Sequence, residues 1–203
     1  GLVGSEMCIR DRTDTQYKIN NLRKIFAIFD VPESELVFYL KDEDNSETVA
    51  GNRYEIRKKY WEYTLPQLKN AFSENGLFGN VNPVTSNWIA GFVGIPGIHI
   101  DCVANFDESR VELYLGMASK EKNKELFGFL FARKDNIEKV IGTQLIWSRM
   151  DDNKASKIHT FLPGVDISKD IDWPRMAKFH VDASKKLYLA FKEHLEQYFH
   201  ISL

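Results

Sequence analysis

Two neighbouring segments in which apolar and polar residues alternate place the strongest constraint on the fold of this chain. In residues 98–106 every second residue is apolar, and the positions between them include His99 and Asp101. After a polar turn at residues 107–109, the alternation resumes in residues 110–115. A period of two matches the pleat of a β-strand, whose successive side chains point to opposite faces. The sequence therefore predicts a β-hairpin with one apolar face and one polar face.

The patterns on either side of this hairpin predict helices and two further strands. Apolar residues spaced by three or four are typical of a helix with one buried side. The predicted order is helix–strand–strand–strand–helix–strand–strand–helix, which is an α+β domain with a mainly antiparallel sheet flanked by helices. The predicted elements are a helix over residues 53–75 with a kink or break at Pro66, strands over 88–93, 98–106 and 110–115, a helix between an N-cap at Ser119 and a stop at Gly142, strands over 144–149 and 156–162, and a helix over 173–198 with Asp172 as its N-cap.

Length and charge narrow the classes of protein to which the chain can belong. A chain of 203 residues suffices for one well-buried domain, and its net charge of -2 argues against binding nucleic acid by bulk attraction alone. No apolar run approaches the roughly 20 residues of a membrane span, so we expect no membrane partner. Two cysteines, Cys8 and Cys102, form neither a disulfide framework nor a metal-ligand cluster, which favours a cytoplasmic location.

The first twelve residues do not look like part of a natural protein. Residues 2–11 correspond to the in-frame translation of a transposase-type sequencing adapter, so we expect residues 1–12 to be an artefact of short-read, metagenomic assembly. The chain is then a fragment whose natural start lies upstream of Thr13. We expect residues 13–52 to form a helical arm and an acidic linker, and residues 53–203 to form a single α+β domain.

A set of polar, aromatic and apolar positions resembles the bacterial family catalogued as domain of unknown function 4268, over about residues 57–198. Members of that family often form the C-terminal part of larger proteins with a nuclease-like upstream region, or occur near restriction and defence genes. The resemblance implies an accessory module of a DNA-processing or phage-defence protein, with an upstream domain or a nuclease subunit as its partner. The positions that carry it are residues 110–114, residues 120–124 with Phe127, Ile137 and Glu138 with Gly142, Trp147, and residues 154–156.

An alternative is that the domain is itself a metal-dependent nuclease. Its first six elements follow the order of the restriction-endonuclease-like core, which holds a divalent metal with an Asp on the second strand and an Asp or Glu on the third. Asp101 and Glu112 occupy these positions, and their oxygen atoms would suit Mg²⁺. The core also needs a lysine two residues later, but this chain has Tyr114 there. A displaced lysine would then come from the next helix, as Lys120 or Lys124.

A purely structural role for the two acids competes with the nuclease hypothesis. Glu112 would pair with Arg110 or with a cross-strand lysine, and Asp101 would be a solvated strand residue. We prefer this interpretation and do not expect the domain to be catalytic on its own, although the sequence leaves the question open.

The third hypothesis is a surface that contacts nucleic acid. Cations at the opening of one helix and around a predicted hairpin would bind backbone phosphates, and an exposed Trp147 would stack on an unpaired base. The alternatives are a buried Trp147, which we favour, a solvated face in which acidic neighbours balance the cations, and a protein-interaction module without nucleic-acid binding. The candidate contact residues are Lys120, Lys122, Lys124, Arg149, Lys154 and Lys157.

Overall fold

The computed structural model describes residues 46–203, with side chains from residue 52 onward. The predicted adapter segment and the predicted helical arm lie outside the described residues. Within the described part, Arg53–Leu203 form one compact unit.

The architecture is an α+β fold with one five-stranded sheet, as the sequence predicts. The strands follow the order β1-β2-β3-β5-β4, and every neighbouring pair is antiparallel. A short 3-10 helix, Asp170–Asp172, precedes the last helix. The other elements are α1 (Ser46–Ala71), β1 (Trp88–Phe92), β2 (Ile98–Ala104), β3 (Glu108–Leu115), α2 (Lys120–Phe131), α3 (Lys134–Ile141), β4 (Ile146–Ser148), β5 (Ser156–Pro163) and α4 (Trp173–Phe199).

Helix α1 is longer than its sequence predicts. It begins at Ser46, so the last part of the predicted acidic linker is helical, because extending an existing helix is far easier than starting one. It also continues through Pro66, so the helix is not broken there. The proline lacks an N–H donor, and Gln67 Nε2 donates to the nearby Tyr63 carbonyl at 3.2 Å.

The predicted long helix between Ser119 and Gly142 is two helices in the structure. Its ends are as predicted: Ser119 Oγ accepts from the Lys122 backbone N–H, and Gly142 adopts the left-handed conformation with φ 79°. The break lies at Arg133, whose Nη1 donates to the Phe129 carbonyl at 2.8 Å. That carbonyl is the acceptor that the Arg133 backbone N–H would need for an uninterrupted helix, so the side chain replaces the helical bond.

Asp172 stands at the predicted N-cap position of α4, with a proline in the first turn. Its side chain does not cap the helix, however. Asp172 Oδ2 accepts from the Asp166 backbone N–H at 3.0 Å, which secures the loop before the helix instead.

One face of the sheet, the first face, carries the core. Its side chains from β2, β3 and β5 include Ile100, Leu113 and Ile158, all at most 1% exposed. Helix α4 packs on this face, where Cys102 Sγ and Ser184 Oγ lie 3.3 Å apart. Since side chains alternate along each strand, the residues between these positions belong to the opposite face.

Candidate functional site

The opposite side of the sheet, the second face, has two carboxylates at its centre. The register places Asp101 of β2 directly opposite Glu112 of β3, and Glu112 directly opposite His159 of β5. Residues directly opposite in antiparallel strands have Cβ atoms about 4.5–5.5 Å apart. Asp101 is 5% exposed and Glu112 is 7% exposed, so the strand geometry forms a buried acidic pair.

Two cations approach the same oxygen of Glu112. Arg110 Nε lies 2.8 Å from Oε2, and Lys157 Nζ lies 3.5 Å from it. Arg110 Nη1 also donates to Glu108 Oε1 at 3.2 Å. The expected pairing of Glu112 with Arg110 or a cross-strand lysine is confirmed, since both ion pairs are present. We call Asp101, Arg110, Glu112, Lys157 and His159 the charged cluster.

Asp101 is held by a histidine that lies in an aromatic stack. His99 Nδ1 contacts Asp101 Oδ1. The imidazole of His99 stacks on the ring of Tyr114, with centroids 4.8 Å apart, and on the ring of Trp88, with centroids 6.5 Å apart. Burial raises the pKa of Asp101 above its ordinary value, while the contact with His99 opposes the shift. The expectation of a solvated Asp101 is wrong, because the residue is 5% exposed and contacts His99.

His159 is the most poorly satisfied member of the charged cluster. It is 9% exposed, and its Nδ1 has no hydrogen-bond partner among the described residues. Burial, followed by the charges of Arg110 and Lys157, lowers the pKa of His159 to about 4. The ring is consequently neutral at pH 7 and offers one donor and one acceptor nitrogen. Arg110 Nε is also buried, and it is not aligned for a hydrogen bond with the nearby Glu112 oxygen.

The cations of the second face are more accessible than its central carboxylates. The side chains of Arg110 and Lys157 are 22% and 24% exposed, whereas that of Glu112 is 9% exposed. Glu108 on the same face is 27% exposed, so a ligand would meet the rings, both cations and this one carboxylate before it met the central pair. The apolar side chains of this face that are at least 43% exposed are Trp88, Phe92, Ile146 and Phe161.

The structure does not bring Lys124 to the acidic pair. Its ammonium donates to the carbonyls of Arg149, Met150 and Ala155 at 2.5–2.9 Å and lies 3.0 Å from Ser156 Oγ. These groups belong to the β4–β5 hairpin, and Ser156 points to the helix-covered first face, because it is opposite Leu115. With its three donors engaged, Lys124 fixes the hairpin and is not available to a phosphate or to Glu112.

Asn123 completes this attachment of α2 to the hairpin. It is fully buried, and its Nδ2 donates to the carbonyls of Met117 and Lys154, both at 3.1 Å. Its Oδ1 accepts from the Met117 backbone N–H at 2.9 Å. The lysine-rich start of the helix, residues 120–124, thus includes two structural residues, Asn123 and Lys124.

The other predicted nucleic-acid residues lie in two places. Lys120, Lys122 and Lys154 are exposed, and Arg149, which is half-exposed, pairs with Asp151 at 3.1 Å. Lys157 is the one candidate of the six that belongs to the second face. This division means that the predicted residues do not form a single surface.

Trp147 is packed rather than presented for stacking. Its ring meets those of Phe127, Phe131 and Phe191 edge-on, and its Nε1 donates to Glu138 Oε1 at 2.9 Å. The preferred interpretation of Trp147 as a core residue is therefore confirmed.

Two residues of the charged cluster were not predicted from the sequence: Arg110 as a surface cation and His159 as a site residue. A signal for both was present, because the period of two places residues 110, 112 and 114 on one face, and residues 157 and 159 on one face of another strand. Only the register shows that these two sets are neighbours.

Within residues 46–203, no three His, Cys, Asp or Glu side chains are arranged to hold a metal ion. None of the helices in the same part of the chain is both long and apolar enough to span a membrane.

Comparison with known proteins gives one match. The model of the family described as "Domain of unknown function (DUF4268)" matches residues 56–195, which is more than half of the 203 residues. No curated protein and no solved structure matches the chain.

Proposed function

This chain belongs to the DUF4268 family, and we propose that the second face of its sheet contacts unpaired DNA, as an accessory module of a bacterial DNA-processing or restriction-type defence protein. The observation that carries the proposal is the presence of exposed rings and two accessible cations on one sheet face. Stacking of a base on an aromatic side chain contributes about 1–3 kcal/mol, and cations bind the adjoining phosphates.

The dimensions of the second face favour an unpaired strand over a duplex. From Trp88 on β1 to Phe161 on β5 the sheet crosses three strand spacings, or roughly 14 Å. That width accommodates two or three bases whose ring faces are free, whereas the bases of a duplex are stacked on one another. The exposed cations at the α2 opening and at the β4–β5 turn are accompanied by Glu121 and Asp151 respectively, which weakens the case for a duplex there.

A binding experiment with a matched aromatic control tests this proposal. Fluorescence anisotropy with a labelled 12-nucleotide single strand at low salt should show binding that Trp88→Ala weakens by about tenfold, which is the loss of one stacked base. Tyr54→Ala removes a similarly exposed ring from α1 and should leave the affinity unchanged. If the wild-type protein binds neither single strand nor duplex, the proposal is overturned, and a protein-interaction module becomes the better class.

One specific observation favours metal-dependent phosphodiester cleavage as a second candidate function. Lys157 is directly opposite Tyr114, which stands where the nuclease pattern expects its lysine, and Lys157 Nζ is 3.5 Å from Glu112 Oε2. A lysine from β5 is therefore a better substitute than Lys120 or Lys124 from the next helix.

The residues present fit a magnesium ion only in part. Asp101 and Glu112 would supply oxygen ligands, and Mg²⁺ commonly takes its remaining ligands from water and substrate phosphate. Such an ion would neutralise charge on the attacked phosphate. Arg110 and Lys157, however, already balance Glu112. This balance is the reason why binding, and not cleavage, is our first proposal.

Cleavage assays separate the two functions. If the protein is a nuclease, single-stranded or duplex DNA will be cut in the presence of Mg²⁺ or Mn²⁺, and Glu112→Gln and Lys157→Met will each abolish cutting. Lys139→Met, which changes an exposed lysine on α3, serves as the control and should retain full activity. Binding without any metal-dependent cleavage would leave the accessory function alone standing.

A further inference from the structure

Three nitrogen-bearing side chains surround the carboxylate of Glu112. Arg110 and Lys157 both approach its Oε2, at 2.8 and 3.5 Å, so their nitrogens lie within about 6 Å of each other. His159 is directly opposite Glu112 across the β3–β5 pair. The nitrogens come from two adjacent strands and are held on one side of the sheet.

One of these nitrogens, His159 Nδ1, is buried without a hydrogen-bond partner in the described part of the chain. Arg110 Nε and Glu112 Oε2 lack a well-aligned hydrogen bond, but they face each other as an ion pair at 2.8 Å. An unsatisfied buried polar atom is costly, and native proteins keep few of them. His159 is more than nine-tenths buried, so a ligand oxygen reaches Nδ1 by displacing the side chains that cover it, and it then accepts from the tautomer that protonates this nitrogen.

The charges around Glu112 indicate which oxyanion fits. Arg110 and Lys157 carry two positive charges and face the carboxylates of Glu112, Glu108 and Asp101, while neutral His159 adds a ring nitrogen without adding charge. A phosphodiester brings one negative charge to this balanced site, the smallest charge that a nucleic-acid phosphate carries. A terminal phosphate monoester carries about -1.5 to -2 and would leave an excess of negative charge next to two buried carboxylates.

We propose that Arg110, Lys157 and His159 bind one internal phosphodiester group of the DNA strand, with Glu112 as the positioning residue that holds the two cations side by side. This inference rests on the proposed function, because it concerns the same face. Each group of side chains on the face then has a role. The rings stack on bases, the cations bind the backbone, and the buried carboxylate orients the cations.

The salt dependence of binding tests the role of the cations. Each phosphate contact contributes about -0.7 to the slope of log affinity against log salt for single strands. Because both cations bind the same phosphate, the double variant Arg110→Gln/Lys157→Gln should reduce the steepness of the slope by about 0.7 in all, while Arg175→Gln, which changes an exposed arginine on α4, should not alter it. A loss of affinity with an unchanged slope in the double variant would overturn the assignment.

Glu112→Gln distinguishes a positioning role from a bulk electrostatic one. Removal of a negative charge strengthens binding to DNA if only the overall charge matters. Loss of the residue that holds Arg110 and Lys157 in place should instead weaken binding by about tenfold and make the slope less steep. Tighter binding by the Gln variant would contradict the positioning role.

Modified oligonucleotides test the phosphodiester without any change to the protein. Neutral methylphosphonate linkages, introduced one at a time along the strand, should weaken wild-type binding at one linkage and have no effect there on Arg110→Gln. Equal affinity for strands with a 5′-phosphate and a 5′-hydroxyl is expected, and a requirement for the terminal phosphate would overturn the choice of a diester. If wild-type protein binds no single strand at all, the proposed function itself fails, and this inference fails with it.

Discussion

The residue that best shows how this chain uses its charges is Lys124, a buried lysine whose ammonium is fully occupied by backbone and hydroxyl oxygens. A charge is kept in such a place only when hydrogen bonds replace its hydration. Burial lowers the pKa of Lys124 from its ordinary value, but its oxygen neighbours favour the charged form. This side chain and Asn123 supply the polar attachment of the β4–β5 hairpin to α2, beside the packing of Trp147 on the rings of α2.

Replacement of Lys124 should therefore destabilise the fold. Lys124→Met leaves three carbonyls and the Ser156 hydroxyl without their donor, and we expect the free energy of unfolding to fall by about 2–3 kcal/mol. Lys122 is exposed and lies two residues before Lys124 on the same helix. Lys122→Met should therefore change the free energy of unfolding by less than about 0.5 kcal/mol. Urea denaturation of the two variants measures the difference, and equal stabilities would show that the ammonium contacts contribute nothing.

His180, like His159, is a residue through which pH should act on stability. It is fully buried between Tyr60, whose hydroxyl lies 2.7 Å from Nδ1, and the Val103 carbonyl, 3.1 Å from Nε2. This arrangement fits a neutral ring that accepts from Tyr60 and donates to Val103. Burial lowers the pKa of His180 to about 4, against the opposing effect of the bond to Val103.

The stability should consequently decrease as the pH falls from 6.5 towards 4. Above pH 6.5 the histidine is neutral in both states, whereas between 6.5 and 4 only the unfolded chain takes up the proton. This one group then costs up to about 3 kcal/mol at the lower end of the range. Urea denaturation at several pH values should show a weaker pH dependence of stability for His180→Gln than for wild type. His200→Asn is the control and should leave the pH dependence unchanged. His200 is exposed, and asparagine tolerates its left-handed backbone conformation. A pH-independent stability of the wild-type protein would be incompatible with a neutral buried His180.

At the scale of elements, two glycines of the α2–α3 pair should respond oppositely to replacement by alanine, because one lies inside a helix and the other ends one. Added Cβ atoms at Gly128 and Gly142 would both meet open space. Gly128 lies inside α2, so Gly128→Ala should stabilise the protein by about 0.5–1 kcal/mol. Gly142 ends α3 with φ 79°, so Gly142→Ala should destabilise it by about 1–2 kcal/mol. Thermal unfolding of both variants is the measurement, and shifts of the same sign would contradict this distinction.

The elements also show what the sequence can and cannot reveal. Alternation in β2 and β3 predicted two faces, and local caps such as Ser119 and Gly142 predicted where helices begin and end, because both depend on neighbours in the chain. The helix break at Arg133 was not predictable, since it depends on a hydrogen bond from the Arg133 side chain to the Phe129 carbonyl. The role of Lys124 was equally hidden, because its partners lie 25 to 32 residues away in the sequence.

The candidate site was predictable to a smaller extent than the fold. Asp101 and Glu112 were identified from strand positions alone, and they are indeed opposite each other. The neighbouring strand β5, and with it Lys157 and His159, joins them only through the register of the sheet. The predicted restriction-endonuclease-like likeness stays a prediction, as does the division at residue 52.

At the scale of the whole described unit, the two faces of the sheet carry different kinds of side chain. The first face is sealed by α4 and α2, and its polar contacts, such as those of Lys124 and His180, fix the packing. The second face gathers the charged cluster, the stacked rings and the exposed apolar side chains. On this account, stability belongs to the first face and DNA contact to the second.

The most direct test of this separation is to map the residues that respond to DNA. In ¹⁵N-labelled protein titrated with a 12-nucleotide single strand at low salt, amide and side-chain signals of β1, β2, β3 and β5 should shift together. Those that should shift most belong to the surroundings of Trp88, His99, Arg110 and Lys157, while signals of Lys120, Lys122 and Lys139 should stay in place. Shifts confined to the α2 opening and the β4–β5 turn would contradict the account and return the contact to the surface that the sequence first suggested.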